Sequence, residues 1–267
     1  MIATRKRALI VAALAIVLTI ACAQSAFSEE SLSFPPTEFT ILNPNTGATI
    51  GHSQYRVEST ADGAHLRGDN NYLDGQTDVE TAHIRLGADG GHPRLTEFDH
   101  TFYNADGSIL LRAHLDLNSG AATCIDNAEG QKSDQSEVIS IPDDTWAGAS
   151  VAIPIRNFLR AGDKNVTRPM HVFSCAPGPK IFAIKVIIDP GPAVWTTYGA
   201  EAIRVEVLPD FGLLNLVVAA FVPKLHAWFD PNDGMMLVGD EAARYYKGPP
   251  IMLVKTHDSH DGSQPTK

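Results

Sequence analysis

From Glu38 onward apolar residues recur at nearly every second position, in short runs cut by Gly, Pro, Asn and Asp. This pattern predicts antiparallel strands. Ile109, Leu111, Ala113, Leu115 and Leu117 alternate with Leu110, Arg112, His114 and Asp116, and Phe182, Ile184, Val186 and Ile188 with Ala183, Lys185, Ile187 and Asp189. Ile203, Val205 and Val207 repeat the pattern against Arg204 and Glu206, and Tyr55 with Val57 and Ala82 with Ile84 give weaker versions. One-sided alternation suits a sheet packed on one face. Ala61-Asp62-Gly63, Asn104-Ala105-Asp106-Gly107 and Asn232-Asp233-Gly234 place a glycine where a tight loop calls for positive φ, and the first two lie between alternating runs as hairpin loops.

Two segments break the period. Pro142-Asp143-Asp144-Thr145 supplies N-cap residues ahead of an apolar stretch from Trp146 to Leu159, which predicts a helix closed at Gly162. Pro154 kinks or splits it, the better half being Pro154 to Arg160. Leu213 to Val222 is apolar except for Asn215 and stops at Pro223. It is too short to span a bilayer. It reads as a buried strand, a short core helix, or a wall over a ligand cavity. The expected fold is mainly β, a curved antiparallel sheet (half-barrel or open barrel) with one or two helices packed on it, in one domain over residues 29–255. A polar tail follows from Thr256 to Lys267.

Residues 1–28 have the order of a secretory signal: Arg5, Lys6 and Arg7, then an uncharged apolar run from Ala8 to Ala21, then small residues ahead of Glu29 and Glu30. Cleavage after Ala23 or after Ser28 discards Cys22. The rival is a lipobox reading of Leu18-Thr19-Ile20-Ala21-Cys22, in which Cys22 is lipidated and tethers the protein to a membrane. The protein is therefore expected to be exported, to the bacterial periplasm or outer membrane. Removal of residues 1–28 leaves 239 residues and takes the formal charge from −10 to −13. That acidity, without a Lys/Arg cluster, argues against nucleic acid as a partner. Cys124 and Cys175 then remain, an even number in an oxidising compartment. One disulfide between them is expected, stabilising the fold by about 4 kcal/mol on a loop-entropy account; two buried free thiols are the alternative.

Ten histidines invite a metal or acid–base reading. If the Asn104 turn pairs Tyr103 with Ile109, His100 falls opposite Arg112 and His114 opposite Phe98, which makes the two histidines diagonal neighbours on one face. That face also carries Arg112 and Asp116 and reads as the solvated side of a sheet, so no metal site is expected. His257 and His260 sit in the polar tail. Gly-x-Ser-x-Gly, His-Glu-x-x-His, P-loop and Gly-x-Gly-x-x-Gly motifs are absent from the sequence, and Asn165-Val166-Thr167 matches a glycosylation acceptor only by chance. Asp74, Asp78 and Glu80 could be paired in space, as in glycosidases, though their spacing does not demand it. No catalytic residue and no cofactor is assigned.

Tyr72-Leu73-Asp74-Gly75, the Trp146 segment running into Ile155-Arg156-Asn157-Phe158-Leu159-Arg160, His171-Val172-Phe173 before the Lys180 strand, and Ala227-Trp228-Phe229-Asp230 ahead of Leu237-Val238-Gly239 follow one another in an order that resembles an uncharacterised family of bacterial periplasmic half-β-barrel proteins. The likeness runs from about Gly51 to Lys255. The resemblance implies the fold and no established reaction. At the level of fold it is distantly similar to the lipoprotein-localisation carriers. The leading expectation is an envelope protein that is not an enzyme and binds a lipid-like ligand or a partner protein. Trp146, Phe158, Leu213, Leu216, Phe221 and Trp228 are its expected contacts. The alternatives are a periplasmic hydrolase with a carboxylate or histidine site, and a scaffold without a pocket.

Overall fold

The computed structural model describes residues 32–87, 92–128, 132–162, 170–175, 178–188, 193–195, 200–210, 225–245 and 248–256. The signal-like segment with Cys22, the Leu213–Val222 run with Leu213, Leu216 and Phe221, Asn165 to Thr167, and His257 and His260 lie outside the described residues.

Eight strands form the first half: β1 (Phe34–Leu42), β2 (Thr49–Thr60), β3 (Gly63–Tyr72), β4 (Thr77–Leu86), β5 (Pro93–Tyr103), β6 (Ile109–Asp116), β7 (Ala121–Asp126) and β8 (Ser133–Val138). A second series follows: β9 (Thr145–Trp146), β10 (Met170–Ser174), β11 (Lys180–Ile188), β12 (Ala193–Trp195), β13 (Ala200–Pro209), β14 (Leu225–Asp230), β15 (Met236–Ala243) and β16 (Pro250–Lys255). Fifteen of them lie in one open sheet in the order 8-7-6-5-4-3-2-1-16-15-14-13-11-10-9, with β12 paired to β13 off this path. The pairing is antiparallel except between β9 and β10. The sheet is mostly β, not closed, and carries one short helix, as the alternation of the sequence predicts.

The two edges, β8 and β9, are consecutive in the chain but share no ladder. Side chains join the end regions instead. A disulfide links Cys124 on β7 to Cys175 just after β10, with Cα atoms 5.5 Å apart, within the usual bridging range. Phe98 of β5 meets Phe173 of β10 edge to face at 6.4 Å. The expected disulfide is therefore present, and the sheet curls far enough for its ends to touch.

The helix α1 (Ala152–Arg160) follows a 3₁₀ turn at Gly148–Val151. Pro154 sits third in α1, where its missing N–H has no helical acceptor to lose. Gly162, at φ +72°, ends the segment just past the cap residue Ala161. Ile153, Ile155 and Leu159 project into the main core. The expected start at Trp146 is corrected. Thr145 and Trp146 pair with His171 and Val172 as a parallel edge strand, and Asp144, read as an N-cap residue, binds His171 Nδ1 at 2.7 Å instead. At the turns, Gly107 and Gly234 have positive φ as expected, at +81° and +55°. Gly63 does not; it is required because the Ile84 carbonyl leaves no room for a Cβ.

Candidate functional site

The inner face of the first half reads as cross-strand rungs. Val57, Leu66, Ala82, Phe98, Leu115 and Ala122 oppose one another across β2 to β7 and are all buried. Two residues along, the next rung is Thr37, Tyr55, Gly68, Glu80, His100, Ala113 and Cys124. The one beyond it is Phe39, Ser53, Asn70, Asp78 and Phe102. Polar residues thus occupy strand positions that alternation assigns to the interior. Gly68 accommodates the Tyr55 ring, which lies where a Cβ would be.

Three donors converge on Asp78, whose side chain is 1% exposed. Asn70 Nδ2 donates to Oδ1 at 2.7 Å, Tyr72 OH to Oδ2 at 3.1 Å, and His100 Nε2 lies 3.1 Å from Oδ1. The other ring nitrogen of His100 is 3.9 Å from Glu80 Oε2, beyond hydrogen-bond length. Glu80, 3% exposed, accepts the Ala149 N–H at 2.7 Å on Oε1. That backbone approach depends on Gly148, at φ +51°, where a Cβ would stand 2.6 Å from the carboxylate.

Burial pushes the Glu80 carboxyl up to about 7; Asp78 adds to the rise, while His100 and the Ala149 N–H oppose it. Burial opposes charge on His100, but the hydrogen bond to Asp78 and the charges of Asp78, Glu80 and Asp99 outweigh it and raise its pKa. Burial, with the nearby Glu80 and Asp78 charges, holds Tyr55 well above the usual phenol range, and burial with Asp78 does the same for Tyr72. Both tyrosines therefore remain neutral hydroxyls. His100, 23% exposed, is the most accessible member of the His100–Asp78–Glu80 row.

The second half closes the polar end. Asp240 on β15 is pushed up to about 7 by burial, with Glu241 and Glu80 adding to the rise. The Arg244 guanidinium stacks over the Tyr72 ring at 3.4 Å and forms a double hydrogen bond with Asp74, at 2.8 and 3.2 Å. Asp74 is held below its usual value by that hydrogen bond. Tyr245 meets Phe102 edge to face at 5.8 Å.

The structure places the sequence-expected residues unevenly. Trp146 is buried in the main core, and Phe158 packs against it. Trp228 packs instead with Ala202, Val238 and Val254, in a different cluster. Of the three carboxylates singled out, Asp78 and Glu80 lie on neighbouring rungs of the interior face and Asp74 sits in the turn beyond β3 with Arg244. The expected adjacency of His100 and His114 is corrected. Tyr103 does pair with Ile109, but a bulge at Leu110 shifts the register, so His100 opposes Ala113 and His114 opposes Asp99. One residue of slip turns every later side chain to the other face. His100 points inward and His114 joins Asp99 and Arg112 outside. Reading the Ile84–Ala82 alternation two steps further back would have put Glu80 and Asp78 on the core face. Asn70, Asp240 and Arg244 carry no motif.

Among the described residues no group of three or more His, Cys, Asp or Glu is arranged to hold a metal ion, and no helix is long and apolar enough to cross a membrane. No protein-family model and no curated protein sequence matches the chain.

Proposed function

We propose that the polar rungs form the acid–base site of an exported enzyme, with hydrolysis as its reaction class. One observation carries this reading: His100 lies between two buried carboxylates, hydrogen-bonded to one and 3.9 Å from the other. Asp78 fixes the ring orientation and supports positive charge on it. His100 takes a proton from the attacking water. Glu80, whose ionisation falls near neutrality, is suited to hand a proton to the leaving group. The N-terminal pattern and the disulfide support export. The described apolar rungs are filled by side chains, with Ile153, Ile155, Leu159 and Trp146 packed among them, which favours an acid–base role over lipid carriage.

The test is turnover of a panel of p-nitrophenyl esters, phosphates and glycosides by the wild type and by the variants E80Q and H100N, each checked for folding by circular dichroism. The expected result is an activity with an apparent ionisation near 7 that falls roughly 10²- to 10⁴-fold in either variant. A panel with no turnover that depends on both residues sinks the proposal.

A further inference from the structure

Among the described residues, three buried polar atoms beside the acid–base row have no hydrogen-bond partner: Ser53 Oγ, Asn70 Oδ1 and Arg244 Nε. Their side chains are enclosed, Ser53 and Asn70 at 4% and 7% exposure and the Arg244 side chain at 8%. Ser53 and Asn70 oppose each other on β2 and β3, and Asn70 opposes Asp78 on β4. Arg244 adjoins them through Tyr72, whose hydroxyl reaches the same carboxylate. Reversing the amide of Asn70 does not relieve the deficit, because it would set the amide oxygen against Asp78 Oδ1 in place of the Nδ2 donor. Oδ1 is thereby fixed as an acceptor in want of a donor, while Arg244 Nε is a donor in want of an acceptor. Ser53 can serve in either sense. Unmet buried groups of this kind are costly and rare in native proteins.

We infer that the site takes a neutral, hydroxyl-rich molecule, a sugar or polyol, whose hydroxyls satisfy Ser53, Asn70 and Arg244. This builds on the acid–base reading of the same site and names its substrate class. A hydroxyl both donates and accepts, so hydroxyls can match the acceptor, the donor and the Ser53 hydroxyl alike. A carboxylate or phosphate ligand fits poorly, because Asp78, Glu80 and Asp240 line the same interior and the charge of Arg244 is already countered by Asp74. An amine fits poorly as well, since Asp78 already has Asn70, Tyr72 and His100 as partners and the Arg244 cation adjoins the site. Phe102 lies tilted against His100 at 4.6 Å and edge to face with Tyr245 at 5.8 Å, which sets aromatic surface beside these polar atoms.

Saturation-transfer NMR and titration calorimetry on the full chain, with glucose, myo-inositol and glycerol against acetate and ethylamine, test this. At least one hydroxylated probe should bind in preference to both charged ones, with affinity weakened roughly tenfold by N70A and by S53A. S53A alone supplies the readout if N70A does not fold. The inference is overturned if none of the three binds, if binding is indifferent to both substitutions, or if acetate or ethylamine is preferred. Polyol binding without any turnover defeats the acid–base reading alone, whereas turnover of a simple ester without polyol binding defeats this inference alone.

Discussion

Two neighbouring rungs of the same strands do opposite things. Val57, Leu66, Ala82, Phe98 and Leu115 make hydrocarbon core, and two residues away Tyr55, Gly68, Glu80 and His100, with Asp78 beyond, put ionisable groups into the same face. Burial does not distinguish them, since Glu80 is as enclosed as Phe98. What differs is the cover. The apolar rung shares its cluster with Ile153, Ile155 and Leu159 of α1, whereas Glu80 meets the backbone N–H of Ala149 in the turn before α1. Strand period decides which residues face inward. The element laid over each rung decides whether hydrocarbon or charge is tolerated there.

The largest break is expected where Cys124, at the end of the polar rung, is tied to Cys175 across the open seam. Replacing both with serine should lower unfolding stability by about 4 kcal/mol for a separation of 51 residues. Urea midpoints of the oxidised wild type and the double variant measure it. An unchanged midpoint would show that packing alone holds the seam. In the apolar rung, L115A removes a fully buried side chain and should cost about 3 kcal/mol in the same assay; a loss below about 1 kcal/mol would mean that the rung repacks.

The polar rung should show itself through pH. Glu80 and Asp240, both pushed up to about 7, and His100, also raised, bind protons more tightly folded than unfolded. Their contribution is full below the unfolded pKa values and is lost as pH rises through the folded ones. Asp74, held low, acts in the other direction, its contribution lost as pH falls through its folded value. Stability should therefore peak near pH 4 and decline from there toward pH 8, with Glu80 accounting for about 3 kcal/mol of the decline. E80Q should flatten the curve over that interval. A decline of undiminished size in E80Q would remove Glu80 as its source.

The legible parts of this molecule are those fixed by local pattern. Ile184 with Val186, and Val205 with Val207, alternate in sequence and are buried in the sheet. Gly107 takes the turn conformation its neighbours announce, and the expected pair Cys124 and Cys175 is bonded. What escaped depends on distant partners. Trp146 belongs to a strand because His171 and Val172 lie alongside it, which no property of the segment 142–159 encodes. The extra residue at Leu110 leaves the alternation of its run intact while reversing the faces beyond it. Asp78 and Glu80 were visible as neighbours in sequence, but their burial depends on Asn70, Tyr72, His100 and Ala149, contributed by β3, β5 and the turn before α1.

The smallest effect is expected one residue away from the site, on the outer face. Arg112 Nη2 and Nε donate to Asp99 Oδ2 at 2.6 and 3.0 Å, and the bulge at Leu110 brings His114 to 3.3 Å from the same oxygen. Like the His100–Asp78 pair, this cluster sets a histidine ring beside a carboxylate. Yet its side chains are 42%, 27% and 29% exposed, against 1% for Asp78. Water screens the charges and already solvates each partner when they separate, so R112A should change unfolding stability by less than about 1 kcal/mol. The remaining dependence should shrink further in 1 M salt, where the screening length falls to about 3 Å. A loss above about 2 kcal/mol, unaffected by salt, would mean that the outer face is shielded from water in solution, and that inner and outer carboxylates differ less than their exposures indicate.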